Sequence, residues 1–178
     1  MTRNNDASHA ALSDAEELGH EARAGHEDHA MLKLWLRMLA STTQIEAEIR
    51  RRLRERFGIS LARFDYMAQL YRYEDGLKMR VLSRYLMVTG GNVTGLTDEL
   101  EREGMVARAP SPDDRRAWIV SLTPTGRRTF ETMASEHEQW ILEMFSGLDT
   151  KTVRQLHSQL GQLRVHVMRS EPSSEENP

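Results

Sequence analysis

Apolar residues between Met31 and Phe57 recur at helical spacing. At about 100° per residue, Met31, Leu34, Trp35, Met38, Ile45, Ile49 and Leu53 share one face, which predicts a single long helix. Gly58 follows its last turn, where a glycine ends a helix by turning left-handed. Ser60 supplies a hydroxyl cap for a second helix, from Leu61 to about Tyr73, with Phe64, Met67, Ala68 and Tyr71 facing inward. Glu74-Asp75-Gly76 reads as a turn. A short helix over Arg80–Leu86 follows, then a connector Met87-Val88-Thr89. A further helix spans about Gly90–Glu103 and ends at Gly104.

The period changes after Gly104. Met105-Val106-Ala107-Arg108 and Trp118-Ile119-Val120-Ser121-Leu122 are short and rich in β-formers. The Pro, Ser and Asp of Ala109-Pro110-Ser111-Pro112-Asp113-Asp114-Arg115-Arg116 make the stretch between them a loop. Together they predict a hairpin with a long charged tip. Thr123-Pro124 is an N-cap followed by proline at the first helical position, opening a helix to about Phe145. Gly147 and Asp149 separate it from a last helix over about Thr150–Arg169. There Val153, Leu156, Leu160, Leu163 and Val167 are spaced 3, 4, 3, 4, a coiled-coil-like seam. Phe130, Met133, His137, Trp140 and Met144 repeat the spacing one helix earlier. Such seams are expected to meet a second copy of the chain, with intrachain packing as the alternative.

The 178 residues carry 24 Lys and Arg against 27 Asp and Glu, a net charge of −3. The ends set that balance. Residues 1–29 hold seven acidic and two basic residues, and residues 171–178 hold three acidic ones. The body, 30–170, keeps 22 Lys and Arg against 17 Asp and Glu. A basic body between acidic tails suits a polyanionic partner better than the total charge suggests. Both tails are poor in large apolar residues and are expected to be disordered, with at most a frayed helix from Ala10 to His29. No apolar run approaches the ~20 residues that cross a bilayer, and the N-terminus has no apolar signal segment. A cytoplasmic protein without membrane contact is expected. The absence of cysteine excludes disulfides, cysteine-based zinc sites and thiol redox chemistry. There is no P-loop, dinucleotide glycine motif, nucleophile elbow or H-E-x-x-H, so neither an enzyme with catalytic residues nor a cofactor is expected.

The order of elements is that of a winged helix-turn-helix: mainly α, with a small β-hairpin wing and terminal helices forming a homodimer interface. Residues 30–60 would supply dimerisation and an effector pocket, 61–123 the DNA-binding module and 124–170 the C-terminal dimerisation helices. In such a module the second helix enters the major groove and the hairpin reaches the flanking backbone or minor groove. Val93, Leu96 and Leu100 would anchor that helix, leaving Gly91, Asn92, Thr94, Gly95 and Asp98 at the surface. Asparagine pairs bidentately with adenine, and threonine bonds phosphate or touches a thymine methyl. Thr89, Gly90 and Gly91 stand at the helix start, where backbone N–H groups approach phosphate closely. On the hairpin, Arg115 and Arg116 are candidates for a narrow, negative minor groove, with Asp114 holding one in place. Double-stranded DNA is the expected partner.

The motifs N-V-T-G-L-T-D-E-L-E-R-E-G over Asn92–Gly104 and D-R-R-A-W-I-V-S-L-T-P-T-G over Asp114–Gly126 stand in tandem. Leu82-Ser83-Arg84-Tyr85-Leu86 precedes them, and Arg108 and Pro112-Asp113 lie between. With these motifs, residues from about 33 to 145 resemble the MarR family of bacterial transcription regulators. The resemblance implies a two-fold dimer whose terminal helices form the interface and whose two winged modules read a pseudo-palindrome. It makes Asp114 and Arg116 a matched pair, with Arg116 in the minor groove. Met79 departs from the pattern, since the family often has a Ser or Thr cap there. L-W-L-R-M-L (34–39), I-E-A-E-I-R-R-R-L-R-E-R-F (45–57) and F-D-Y-M-A-Q-L (64–70) are similar to a smaller branch. That branch represses genes for breakdown of hydroxycinnamates and related aromatic acids, and several members respond to the aromatic acyl-CoA. The function implied is a repressor of aromatic-compound catabolic genes, released from its operator by a small aromatic ligand such as an aromatic acyl-CoA thioester. Alternatives are a regulator of efflux or stress genes responding to another phenolic ligand, and a metal-responsive regulator.

Arg52 and Arg56 share the helical face of Ile45 and Ile49. A buried arginine is unfavourable unless a carboxylate, phosphate or other acceptor meets it. Glu48 and Asp65 are internal candidates. The functional alternative is an anion subsite beside an apolar pocket walled by Trp35, Met38, Ser41, Thr42, Phe64, Met67 and Tyr71. Arg50, Arg51 and Arg54 nearby would suit the phosphates of a CoA moiety, and equally a solvated face or contacts to DNA phosphates. Ten methionines give the interior pliability. The metal-responsive alternative rests on His26-Glu27-Asp28-His29 with His9 and His20, although no metal site is expected.

Overall fold

The computed structural model describes residues 30–86, 90–114 and 117–169. The two acidic ends, Met87-Val88-Thr89, Arg115 and Arg116, and His9, His20, His26 and His29 lie outside the described residues. Helix α1 is Ala30–Phe57 and α2 is Leu61–Tyr71; strand β1, Leu77–Lys78, leads into α3, Met79–Leu86. Helix α4 is Gly90–Arg102, strands β2 and β3 are Val106–Pro110 and Trp118–Leu122, and α5 and α6 are Pro124–Phe145 and Thr150–Arg169. The fold is mostly helical with one small antiparallel sheet.

Local chemistry sets the element ends. Gly58 has φ 67° and donates its N–H to the Arg54 carbonyl at 3.0 Å, stopping α1. Ser60 is extended, and its hydroxyl accepts from the Arg63 N–H, capping α2. Gly104, φ 72°, ends α4 in the same manner. Thr123 caps α5: its Oγ1 accepts from the Gly126 N–H at 2.9 Å and donates to the Gly104 carbonyl at 2.7 Å. A side chain at Gly126 would put Cβ 1.9 Å from the Met105 carbonyl oxygen, so α5 starts against the β2 approach only because that residue is glycine.

The sheet has the order β1-β3-β2, with Leu77 opposite Val120, Val106 opposite Leu122 and Pro110 opposite Trp118. The hairpin is the expected one, although β2 begins at Val106 and runs through Pro110. Strand β1 is an addition. Two residues carry no periodic signal, and its pairing comes from Gly76, φ 78°, backing onto the Val120 carbonyl.

The chain divides into two compact units, Met1–Phe130 and Glu131–Pro178. Leu53, Tyr66, Leu70, Leu82, Leu100 and Val120 are fully buried in the first. Phe64 and Tyr71 pack on the Phe130 ring, with centroids 5.4 and 5.0 Å away. Phe64 and Met67 are buried as expected, but Ala68 and Tyr71 are only half-buried, and Tyr66 and Leu70 are buried more deeply. Helix α2 is covered on two sides, which one apolar stripe does not convey. In α1, Ile49 and Leu53 are buried, whereas Met31, Leu34 and Trp35 of the same stripe are exposed. Periodicity marks a face without saying what covers it. Arg56, expected on that face, is exposed, since its long stem lets the guanidinium reach water.

In the second unit, Asp149 Oδ1 accepts from the Thr152 N–H at 2.7 Å, capping α6 and holding the carboxyl below its ordinary pKa. No α6 residue is buried; Val153, Leu156, Leu160, Leu163 and Val167 are 36–55% exposed. Among the described residues, no helix is long and apolar enough to cross a membrane.

Candidate nucleic-acid interface

Helix α4 has two chemically distinct sides. Val93, Thr97 and Leu100 are buried and Leu96 is half-buried, whereas Gly90, Gly91, Asn92, Thr94, Gly95 and Asp98 are exposed. Thr97 anchors the buried side. Its Oγ1 donates to the Val93 carbonyl at 2.6 Å and accepts from the Tyr66 hydroxyl of α2 at 2.6 Å. Burial pushes the Tyr66 phenol up from its ordinary pKa, so it remains a donor.

The exposed side is tied to the wing. Arg108 of β2 forms an ion pair with Asp98 and lies 3.5 Å from the Glu101 carboxylate. Asp98 thus has an internal cation and is less available to a base. Arg63 of α2 pairs with Glu103 just past the end of α4. The Thr94 hydroxyl donates to the Gly90 carbonyl at 3.0 Å. Phosphate oxygens accept hydrogen bonds, so Thr94 must turn away from Gly90 to bond one, but its methyl is free to meet a thymine. The wing is closed by Ser111 N–H to Ala117 carbonyl at 2.8 Å and Ala117 N–H to Asp114 carbonyl at 2.9 Å, with the Asp114 side chain exposed. Thr89, Arg115 and Arg116 lie outside the described residues.

The sequence pattern passes over a second cationic element. Lys78, Met79, Arg80, Asp114, Ala117 and Trp118 line a groove of about 330 Å³ between the start of α3 and the root of the wing. Lys78 and Arg80 have no ion-pair partner among the described residues, and Trp118 is 49% exposed. Two unpaired cations beside an exposed indole suit a sugar-phosphate backbone. The available signal was the pair of cations flanking Met79, where the usual helix cap is absent.

The proposed effector contacts are spread out. Trp35, Ser41 and Thr42 are exposed on the first half of α1, and Met38 is half-buried. Arg52 is half-buried and its Nε donates to Glu48 Oε1 at 2.6 Å, so the internal carboxylate is its partner. Hydrogen bonds from Arg51 and Arg52 hold the Glu48 carboxyl at a pKa of about 2. Arg50 pairs with Glu46 at 2.7 Å. Phe64 and Met67 belong to the core, and Tyr71 carries the Arg127 guanidinium over its ring at 4.8 Å. Trp35 and Arg56 stand roughly 32 Å apart along one helix at 1.5 Å per residue.

Comparison with known proteins adds independent information. A model of the MarR family matches residues 57–117. YdgJ of Bacillus subtilis, named an uncharacterized HTH-type transcriptional regulator, is 30% identical over 110 residues, covering 62% of this chain and 66% of that protein. The transcriptional activatory protein BadR of Rhodopseudomonas palustris is 43% identical over 60 residues, 34% of each chain. These matches thus span between one third and just under two thirds of the relatives' lengths. A MarR family transcriptional regulator from Silicibacter pomeroyi has a similar solved structure, with TM-score 0.68 and 30% identity over 81% of this chain and 99% of that one. CouR from Rhodococcus jostii RHA1, solved bound to p-coumaroyl-CoA, shares the fold, with TM-score 0.63 and 20% identity over 73% and 90% of the chains.

Proposed function

This chain belongs to the MarR family, and from that premise we propose that it is a DNA-binding transcriptional regulator acting as a homodimer on a pseudo-palindromic operator. The observation that carries the proposal is the two-sided α4. Its buried side is locked to α2 through Thr97 and Tyr66, and its exposed side offers glycines, Asn92 and Thr94. Asn92 would read a base, Arg116 would enter the minor groove, and Lys78, Arg80 and Trp118 would hold the backbone. A second copy would cover the exposed seam of α6.

The finer proposal is a repressor of aromatic-compound catabolic genes, released by a small aromatic ligand such as an aromatic acyl-CoA thioester. Support comes from the likeness to CouR, solved with p-coumaroyl-CoA, and from the motifs of α1 and α2. Trp35, Met38, Ser41 and Thr42 on the first half of α1 remain its candidate contacts. Release requires the ligand to favour the DNA-incompetent state by roughly 1–3 kcal/mol. A second reading, activation, is favoured by the identity to BadR, whose name describes an activatory protein.

The test is capture of fragmented source genomic DNA by the purified protein, followed by sequencing. A shared pseudo-palindrome beside aromatic-degradation genes is the expected result, and transcription of those genes with and without the regulator separates repression from activation. Arg116→Ala should weaken binding broadly by roughly 1–3 kcal/mol, and Asn92→Ala should change preference at one position per half-site. No retention at low salt would refute the regulator proposal, because phosphate contacts are strongest there.

A further inference from the structure

Two tyrosines from separate elements meet at the surface of the first unit. Tyr73 lies two residues past the end of α2, and Tyr85 is on the last turn of α3. Their rings are stacked, with centroids 5.9 Å apart and planes 13° apart. The Tyr73 hydroxyl donates to the Tyr85 hydroxyl at 3.1 Å. Both rings reach solvent, at 39% and 44% exposure. The other two tyrosines are less accessible: Tyr66 is fully buried, and Tyr71 is half-buried against the Phe130 ring and the Arg127 guanidinium. Packing gives the exposed pair little stability, because water is available to both rings and both hydroxyls.

The arrangement does favour a covalent reaction. Removing one electron from an exposed phenol releases its O–H proton to water and leaves a radical shared between the oxygen and the ring carbons ortho to it. When the neighbouring ring is oxidised in the same way, two ortho carbons join. Each joined carbon then loses its hydrogen as a proton, and each oxygen regains one, restoring both phenols. Overall, two C–H bonds break and one C–C bond forms. Two electrons and two protons pass to one hydrogen peroxide, which becomes two waters. The product holds its two hydroxyls side by side, and Tyr73 and Tyr85 already point theirs at each other from nearly parallel rings. We propose that Tyr73 and Tyr85 form an oxidative modification site, closed into an intrachain dityrosine by a haem peroxidase with hydrogen peroxide. A chain without cysteine has no disulfide with which to make such a link. The hydrogen bond to Tyr85 pushes the Tyr73 phenol up from its ordinary pKa, so Tyr73 is protonated at neutral pH and its electron and proton leave together. The bond ties the end of α2 to α3, and α3 packs on α4. Any consequence for operator binding rests on the regulator proposal; the coupling does not.

The experiment treats the full chain with a haem peroxidase and one equivalent of hydrogen peroxide. Dityrosine fluorescence is expected, on a species with the mass of one chain less two hydrogens. Proteolysis should release two peptides joined through Tyr73 and Tyr85. The yield per chain should hold constant over about a tenfold dilution, because the second phenol is already in place. Tyr73→Phe and Tyr85→Phe should each abolish the intrachain product, and Tyr71→Phe should leave it unchanged. Circular dichroism of each variant checks that it is folded. Absence of dityrosine, covalent dimers in place of the single-chain product, or a joined peptide that lacks Tyr73 or Tyr85 would overturn the proposal. The coupling is read without DNA, so its failure leaves the regulator proposal standing. A chain that couples but retains no DNA keeps the modification site and loses the regulator proposal.

Discussion

The hydrogen bond between Tyr66 and Thr97 joins α2 to the buried side of α4, and its proton arrangement leads to an unequal pair of mutational effects. Thr97 donates its only hydroxyl hydrogen to the Val93 carbonyl, so Tyr66 is the donor in the 2.6 Å contact between them. Both side chains are fully buried. Tyr66→Phe removes one neutral hydrogen bond and orphans no donor, at a cost of about 1 kcal/mol. Thr97→Val keeps the shape but leaves the Tyr66 O–H buried without an acceptor, at a cost of about 1–3 kcal/mol. In the double variant that orphan is gone. It should therefore be more stable than Thr97→Val alone by about 1 kcal/mol, an inversion that independent sites cannot produce. The assay is urea unfolding followed by far-UV circular dichroism, at one protein concentration because association would stabilise the folded state. Additivity of the two single changes within about 0.5 kcal/mol would refute the assignment of Tyr66 as a buried donor to Thr97.

Other changes test separate parts of the molecule. Gly126→Ala should destabilise by about 1–3 kcal/mol through collision with the Met105 carbonyl, whereas Gly95→Ala, with nothing near its Cβ, should raise the thermal midpoint. Equal midpoints would remove the close approach at Gly126. Glu48, held at a pKa of about 2 by Arg51 and Arg52, contributes stability that is fully present above its unfolded value of 4.5 and is lost as pH falls through about 2. Glu48→Gln should flatten that part of the acid-unfolding curve, and an unchanged curve would count against the pairing. Arg108→Ala frees Asp98 and loosens α4 from β2, which should weaken operator binding by about 1 kcal/mol, or fivefold, in fluorescence anisotropy at fixed salt. Wild-type affinity would show that the clamp is dispensable. Leu160→Asp should shift the chain toward monomer in sedimentation velocity, and an unchanged distribution would rule out the α6 seam as the interface.

The kinds of element and most of their ends follow from short stretches of the chain. Helical spacing in α1, α4 and α6, Gly58 and Gly104 as stops, and Ser60, Thr123 and Asp149 as caps act within a few residues, so local order suffices to reveal them. Tandem motifs over α4 and the wing likewise made the family legible. Burial required the tertiary structure, because a stripe shows a direction while another element must supply the cover. Thus Ile49 and Trp35 share a stripe, yet one is buried and the other exposed, and Tyr66 and Leu70 are buried by a second face of α2. Strand β1 exists only because Leu77 meets Val120 across a distance of 43 residues in the chain. Arg52 shows the same division: sequence required that it have a partner, and packing selected Glu48. The groove at Lys78 and Arg80 is assembled from separate elements, and no run of consecutive residues encodes such a meeting.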